Sequence, residues 1–515
     1  MSNVLIASIK ADFKQRIRQS SFVITLLVMA LLTVLFFPAP SADYQTLVIN
    51  GYRGIYNSAW IGICLASLNI TLLPIICFYL VKNTINNDRR LLVSELIAAT
   101  PVSKIHYLFA KWLVSVIVLT VIMTVMIAIS VLMQLYFGES YVINLWQIIW
   151  PQMVFVFPLL LAIASIALLF ETVPWLRGGL GNVAYFFIWV TTLVKLVASG
   201  SGISVIHTQI QQDIATLYPQ TASNSSISIG TSLSENEVST FVWHGASISS
   251  DIFTDILPIL FASVAFLVIA IILFDRFTHS GAAVSKTSNH FVDKKLSLIG
   301  TTCDVLFKKV TNISAFTRQV RLELLLLIKG LSKYWYIAII GLNIAQILVP
   351  LATLSQAVIP LSWLMCVLIL SPIGVRSYLN NTDSLLSYCN FSINKQALSV
   401  ISAAILLLLL TTSGGLVRLL MTGELLIVAQ IFIATFFISS LAFFCASLTN
   451  TNRTFEVIYP ALWYLGPLHA ALYLDYFGVN SQLSWQANMP LYFLGIAILL
   501  FMIGLLKSHR NYAVS

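Results

Sequence analysis

Charge is scarce in this chain: only 9% of its 515 residues are Asp, Glu, Lys or Arg, against 58% that are hydrophobic. A soluble domain needs more polar surface than that, so the composition excludes one and points to a polytopic membrane protein. Several chemical signatures are missing as well. No Gly-x-x-x-x-Gly-Lys-Ser/Thr occurs, so the chain lacks that cradle for nucleotide phosphates. Neither Gly-x-Ser-x-Gly nor His-Glu-x-x-His appears, which argues against a hydrolase in its own right. The six cysteines are Cys64, Cys77, Cys303, Cys366, Cys389 and Cys445. None falls in an expected outer loop and no Cys-x-x-Cys occurs, so neither a disulfide framework nor a zinc site is expected. Ionisable residues are rare within the apolar runs, whereas ion-coupled carriers place them there. Tyr473-Leu474-Asp475 has the look of an aspartyl protease motif, but no second intramembrane aspartate accompanies it. A packed or interfacial His469 and a water-facing Asp475 are the expectation there.

What is present is a series of long apolar runs. About 20 apolar residues span a bilayer core. On that measure the sequence predicts an all-α polytopic membrane protein with about 12 transmembrane helices. They fall at roughly 20–37, 59–81, 112–137, 149–170, 183–199, 254–275, 334–353, 357–375, 397–416, 424–447, 457–474 and 488–506. Pro74 should kink the second. The first run follows charged residues and has no small-residue cleavage site, so it reads as a retained span. This map puts every Lys and Arg except Arg53, Lys195 and Arg418 on one side. By the positive-inside rule that side, with both termini, is cytoplasmic. The net charge of +9 then reflects this sorting and attraction to anionic membrane lipids, not nucleic acid.

The stretch from Asn86 to Lys111 is a basic island between two spans. Leu91, Leu92, Leu96 and Ile97 recur at helical spacing before Thr100-Pro101, which predicts a short amphipathic helix at the membrane surface. Residues 3–19 form a second amphipathic segment, with Ile6, Ile9, Phe13 and Ile17 opposite Lys10, Lys14, Arg16 and Arg18. After the fourth span, Arg177 and three glycines (Gly178, Gly179 and Gly181) suit a tight reversal. Residues 200–253 contain no Lys or Arg. They offer a helix with Ile206, Ile210 and Leu217 on one face, then a flexible polar stretch, then Phe241 and Trp243.

This order resembles the transport subunit of ABC-2 type ABC transporters. Arg89, Arg90, Glu95, Thr100, Pro101 and Lys104 stand where that family has its coupling loop, which docks on an ATP-hydrolysing partner. The segment 3–19 matches the family's elbow helix. The resemblance implies a fused permease: residues 1–275 as a first transmembrane half, 276–311 as a cytoplasmic linker and 312–515 as a second half. The halves share a pattern: Phe13-x3-Ile17-Arg18 recurs as Phe316-x3-Val320-Arg321, and Arg177 as Arg453. The second coupling loop would lie within 376–396, with Asp383 and Lys395 as its charges and no match to Thr100-Pro101. The implied machine is a bacterial inner-membrane exporter. It would work with an ABC ATPase subunit, in two copies, that holds ATP and Mg, and the chain itself would bind no cofactor. A solvated loop that only fixes topology would carry the same charges as the coupling loop. Arg177 and Arg453 read as structural turns before functional contacts. Ile206, Ile210, Leu217, Phe241 and Trp243 read as an outer gate over the exit, or as passive interfacial decoration. A secondary carrier or channel without an ATPase, and a membrane scaffold that transports nothing, are the other function classes.

Overall fold

The computed structural model describes residues 2–514 apart from 41–43, 91–92, 101, 138, 178, 200–203, 220–226, 233–238, 247–250, 275–313, 329–330, 332, 380–381, 383–391, 469–471 and 480. Pro101, Asp383, His469 and the expected linker 276–311 therefore lie outside the described residues.

At the centre stands α3 (Ser58–Val81), almost wholly buried. It is apolar all round, and a helix without a polar face belongs inside a bundle. Around it pack α6 (Lys104–Phe137), α7 (Leu145–Pro151), α8 (Phe157–Thr172) and α9 (Gly179–Ser199), while α2 (Ser20–Phe36) packs on α6. Gly62 allows α7 to approach, since a Cβ there would sit 2.4 Å from the Gln147 carbonyl. Pro74 interrupts the helix's own hydrogen bonding. Tyr185 and Trp189 of α9 donate to the Pro74 and Thr71 carbonyls beside it, at 2.7 and 3.1 Å. Further along are α11 (Asp251–Leu273), packed on α8, and α12 (Ala315–Ile328), packed on α16 (Ile393–Thr411). Between these two come α13 (Lys333–Leu348), α14 (Ile359–Leu370) and α15 (Arg376–Leu379). The chain ends with α17 (Ser413–Thr422), α18 (Leu425–Thr449), α19 (Arg453–Trp463), α20 (Ser481–Gln486) and α21 (Met489–Val514). The later helices meet the earlier ones along α3: Thr71 hydrogen-bonds Tyr464 at 3.1 Å, and the Trp189 and Trp463 rings lie edge to face 5.8 Å apart.

The expected 12 spans in two six-helix halves are not what forms. Among the described residues, seven helices are long and apolar enough to cross a membrane, or eight if the bent pair Ile6–Ile17 and Phe22–Phe36 counts as one span. The four expected spans that fail were read from hydropathy without their breaks. Tyr334–Leu348 and Leu354–Leu370 are apolar but short, and within α9 the apolar stretch among the described residues is Leu180–Thr192. A 16-residue helix such as α13 reaches only about 24 Å at 1.5 Å per residue, less than a bilayer core of about 30 Å. The run at 457–474 is broken: α19 contains Pro460 and gives way to a π-helical turn, Tyr464–Leu468, that contains Pro467. Proline removes an amide donor and crowds the preceding turn, so a hydropathy window passes over a break that the backbone cannot.

The chain is all-α across its spans, and the end of the bundle opposite the basic island carries a small sheet besides. Its strands β1 (Tyr44–Ile49), β2 (Tyr52–Gly54), β3 (Ile227–Ser232) and β4 (Ser239–Phe241) pair in the order β3-β1-β2-β4. Asn50 and Gly51 both have positive φ, 52° and 83°, as the tight turn between β1 and β2 requires. A bidentate ion pair ties this sheet to the bundle. Arg53 of β2 donates to both oxygens of Glu139, at 2.9 and 2.7 Å, and the Tyr56 amide adds a third bond at 2.7 Å.

Burial opposes ionisation of Glu139, but the bonds from Arg53 and Tyr56 outweigh it and hold its pKa below the ordinary glutamate value. A depressed carboxylate contributes stability above its unfolded pKa, and that contribution is lost as pH falls through the folded one. The sheet should therefore loosen below about pH 4.3. Arg53→Met should loosen it at neutral pH by about 3 kcal/mol, because it strands a partly buried carboxylate. Limited proteolysis of the segment 203–245 against pH checks both. A cleavage rate independent of pH and of the substitution would remove the latch role.

Candidate functional site

The basic island folds as two short helices. Asn83 takes a left-handed conformation (φ 75°) and ends α3, which asparagine tolerates better than most residues. Then come α4 (Thr84–Arg90) and α5 (Val93–Ala99). Thr100 closes α5 by donating to the Ile97 carbonyl at 2.8 Å. Ser103 caps α6, accepting from the His106 amide at 3.3 Å.

The base of this elbow is a buried polar network. Glu171, at the end of α8, is 3% exposed. One of its oxygens accepts from the amide and hydroxyl of Thr84, at 3.0 and 3.3 Å. The other accepts from the amides of Ile85 and Asn86, at 2.6 and 3.4 Å. A carboxylate from another helix thus caps α4, satisfying amides that have no partner within their own helix and meeting the positive end of the helix dipole. Arg177 in turn holds the carbonyls of Glu171 and Thr172, at 2.6 and 3.0 Å. Gly181 is required there, since a Cβ would fall 1.9 Å from the Leu176 carbonyl. Lys82 donates to the Asn182 side chain and lies over the rings of Phe78 and Phe170.

The opposite flank of α4 is held by charge. Lys111 of α6 bridges Asp88 of α4 at 2.9 Å and Asp12 of α1 (Ser2–Ile17) at 2.8 Å. Tyr107 donates to Asp88 at 2.7 Å, and Arg16 donates to Ser115 at 3.2 Å. Arg453, from the start of α19, donates to the Leu80 carbonyl at 3.3 Å, just before α3 ends. Buried ions are costly unless each finds its partners. Here the partners come from α1, α4, α6 and α8, so the network locks the elbow to three other helices at once. Ile85, Tyr107, Leu108, Leu168, Ala270 and Phe274 form an apolar cluster beside it, against which Ile97 packs.

The far face of the elbow is bare. Ser94 and Ile97 point inward, while Glu95, Leu96, Ala98, Ala99, Thr100, Lys104 and Ile105 are exposed, Leu96 by 70%. Arg89 is half-buried and Arg90 ends α4. Of the expected coupling residues, Glu95, Thr100 and Lys104 are exposed. Lys395 is exposed at the start of α16, far along the chain. Arg177 and Arg453 both cap helix ends.

Reading the sequence for exposed charge missed Asp12, Lys82, Asp88, Lys111 and Glu171. Helical spacing was the available signal: Asp12 with Arg16, and Tyr107 with Lys111, stand four apart and so share a face. At the sheet end, Ile206, Ile210, Phe241 and Trp243 are buried, but Leu217 is 58% exposed. Helix α10 (Ser204–Leu217) is tied down by Trp243, whose indole donates to Asp213 at 3.1 Å. Trp60 of α3 packs edge to face on Phe241 and Trp243. Asp475 is fully buried and does not face water; it accepts from the Gly478 and Val479 amides and the Ser484 hydroxyl.

The chain is an integral, multi-span helical membrane protein; no family model, no curated protein and no solved structure matches it.

Proposed function

We propose that the chain is the membrane-embedded permease of an ABC-type exporter, driven by a separate ATPase that docks on the α4–α5 elbow. One observation carries this: an exposed surface with an apolar centre at Leu96 stands on a base welded to three other helices. A force applied to such a surface moves the bundle, whereas a loop that only fixed topology would need no welded base. ATP and Mg belong to the partner, in two copies, and this chain contributes no catalytic group. The cations of the network and elbow gather at one end of the bundle in space, which supports placing that end in the cytoplasm of a bacterial inner membrane. The opposite end then carries the sheet and α10. There Ile206, Ile210, Phe241 and Trp243 act as an outer gate, held shut by Arg53 and Glu139, and Leu217 lies on its outer surface.

A secondary carrier would need an ionisable group free to exchange its ion. Glu171 accepts four fixed hydrogen bonds and Lys111 bridges two carboxylates, an arrangement suited to a fixed strut. The test is purification of the chain from its native membrane. On this reading an ABC ATPase accompanies it and the complex hydrolyses ATP. Purification without an ATPase, together with uptake or efflux driven by an ion gradient, would favour the carrier.

A further inference from the structure

Helix α10 buries a face made of Ile206, Ile210 and Ile214, each 0% exposed, and His207 lies on that face too, 6% exposed. Residues three or four apart share a side of a helix, so His207 stands where a further isoleucine would pack. Among the described residues neither of its ring nitrogens has a hydrogen-bond partner. A neutral imidazole carries one N–H donor and one acceptor nitrogen. Both therefore leave water without replacement when α10 lies closed on the bundle, a cost that an apolar side chain would not bring.

No opposite charge compensates. Strand β1, which packs on α10, contains no Asp, Glu, Lys or Arg. Asp213 of α10 itself is engaged by the Trp243 indole at 3.1 Å. At the same end of the bundle Arg53 and Glu139 hold each other, Tyr52 stacks on Tyr218, and His244 is exposed. None of these groups acts on His207, whose ionisation is opposed by burial alone.

We propose that His207 makes α10 an acid-released clasp: protonation of the buried imidazole drives the helix off the bundle, where the imidazolium reaches water. An imidazolium in an apolar site with no carboxylate beside it is costly, and only the open helix hydrates it. Burial pushes the pKa of His207 down to about 4 in the closed form, against about 6.5 for a histidine in water. The closed form binds fewer protons, so acid favours the open one. The closed helix is therefore fully favoured above about pH 6.5, and its advantage falls about tenfold per pH unit from there down to about pH 4. Most of this window lies above the one in which the Arg53–Glu139 pair fails. Acid thus acts on this end in two steps, α10 first and the sheet afterwards. Which medium the clasp reads follows from the proposed orientation, in which this end faces away from the cytoplasm. The clasp itself depends on neither that orientation nor an ATPase.

The test is amide hydrogen exchange on the purified full chain in detergent, each rate divided by that of an unstructured peptide at the same pH. From pH 7.5 to pH 5, protection of Ser204–Leu217 should fall about 30-fold, while that of the buried helix α3 stays level. His207→Leu should keep α10 level over this range and raise its protection above wild type at the acid end, a gain that misfolding cannot imitate. His207→Gln, which takes up no proton but keeps a polar group at the site, should be level as well. Wild-type protection that does not change over this range would overturn the proposal. So would the wild-type slope in either His207 variant.

Discussion

Glu171→Ala is expected to cost about 3–5 kcal/mol of stability, because it empties a buried carboxylate site. It strips the amides of Thr84, Ile85 and Asn86 of their acceptor. Each buried donor left without a partner costs about 1–3 kcal/mol. The Ile85 amide cannot turn to water, since Ile85 is 1% exposed. The loss should be local in effect. With its cap removed, α4 is held on one flank only, by Asp88 through Lys111 and Tyr107. On the proposed reading, an ATPase should still find the exposed face of α5, but its stroke should no longer reach α8. Denaturation in mixed micelles measures the stability, and cargo-stimulated hydrolysis measures the coupling. Glu171→Gln keeps one acceptor oxygen and should fall between wild type and Glu171→Ala. Wild-type stability with wild-type coupling in the alanine variant would remove Glu171 from the mechanism.

Leu96→Asp should have the opposite signature. Leu96 is exposed and touches little within the chain, and surface changes of that kind usually shift stability by no more than about 0.5 kcal/mol. On the proposed reading it is the apolar centre of a docking surface rimmed by Glu95, Thr100 and Lys104. Buried anchors at such centres are worth about 2–4 kcal/mol, so affinity for the ATPase should fall roughly 30- to 1,000-fold. Charge reversal at Glu95 or Lys104 should do less, and its effect should shrink with salt, as rim charges do. Unchanged co-purification of Leu96→Asp with an ATPase would move the docking surface elsewhere.

The sequence showed the surface of this site better than its foundation. Apolar runs and the basic island between them were legible because hydropathy and charge are local. So was the face of α10 that buries Ile206 and Ile210. Leu217 was misread because its helix ends there, so the residue sits beyond the packed turns. Glu171 went unread: its partners are the amides of residues 84–86, and a main-chain amide leaves no mark in a sequence. The sheet was missed for a related reason. Residues 44–49 pair with residues 227–232, and such distant pairing is not written in either segment alone. A signal for its hairpin was present and went unread: Ile49-Asn50-Gly51-Tyr52 places Asn-Gly between apolar neighbours. One surplus span, 457–474, came from weighing hydropathy over breakers at Pro460 and Pro467, and the helices Tyr334–Leu348 and Leu354–Leu370 are apolar without the length to cross.

The most direct measurement is a photo-crosslinking amino acid placed at Leu96 in the full chain, in its native membrane. The account predicts a crosslinked partner whose peptides, by mass spectrometry, include a nucleotide phosphate-binding loop. The same probe at Leu398, among exposed residues of a helix flank, should capture none. Crosslinks from Leu96 that reach only lipid, in membranes where an ATPase still accompanies the chain, would contradict the elbow as the point where force enters.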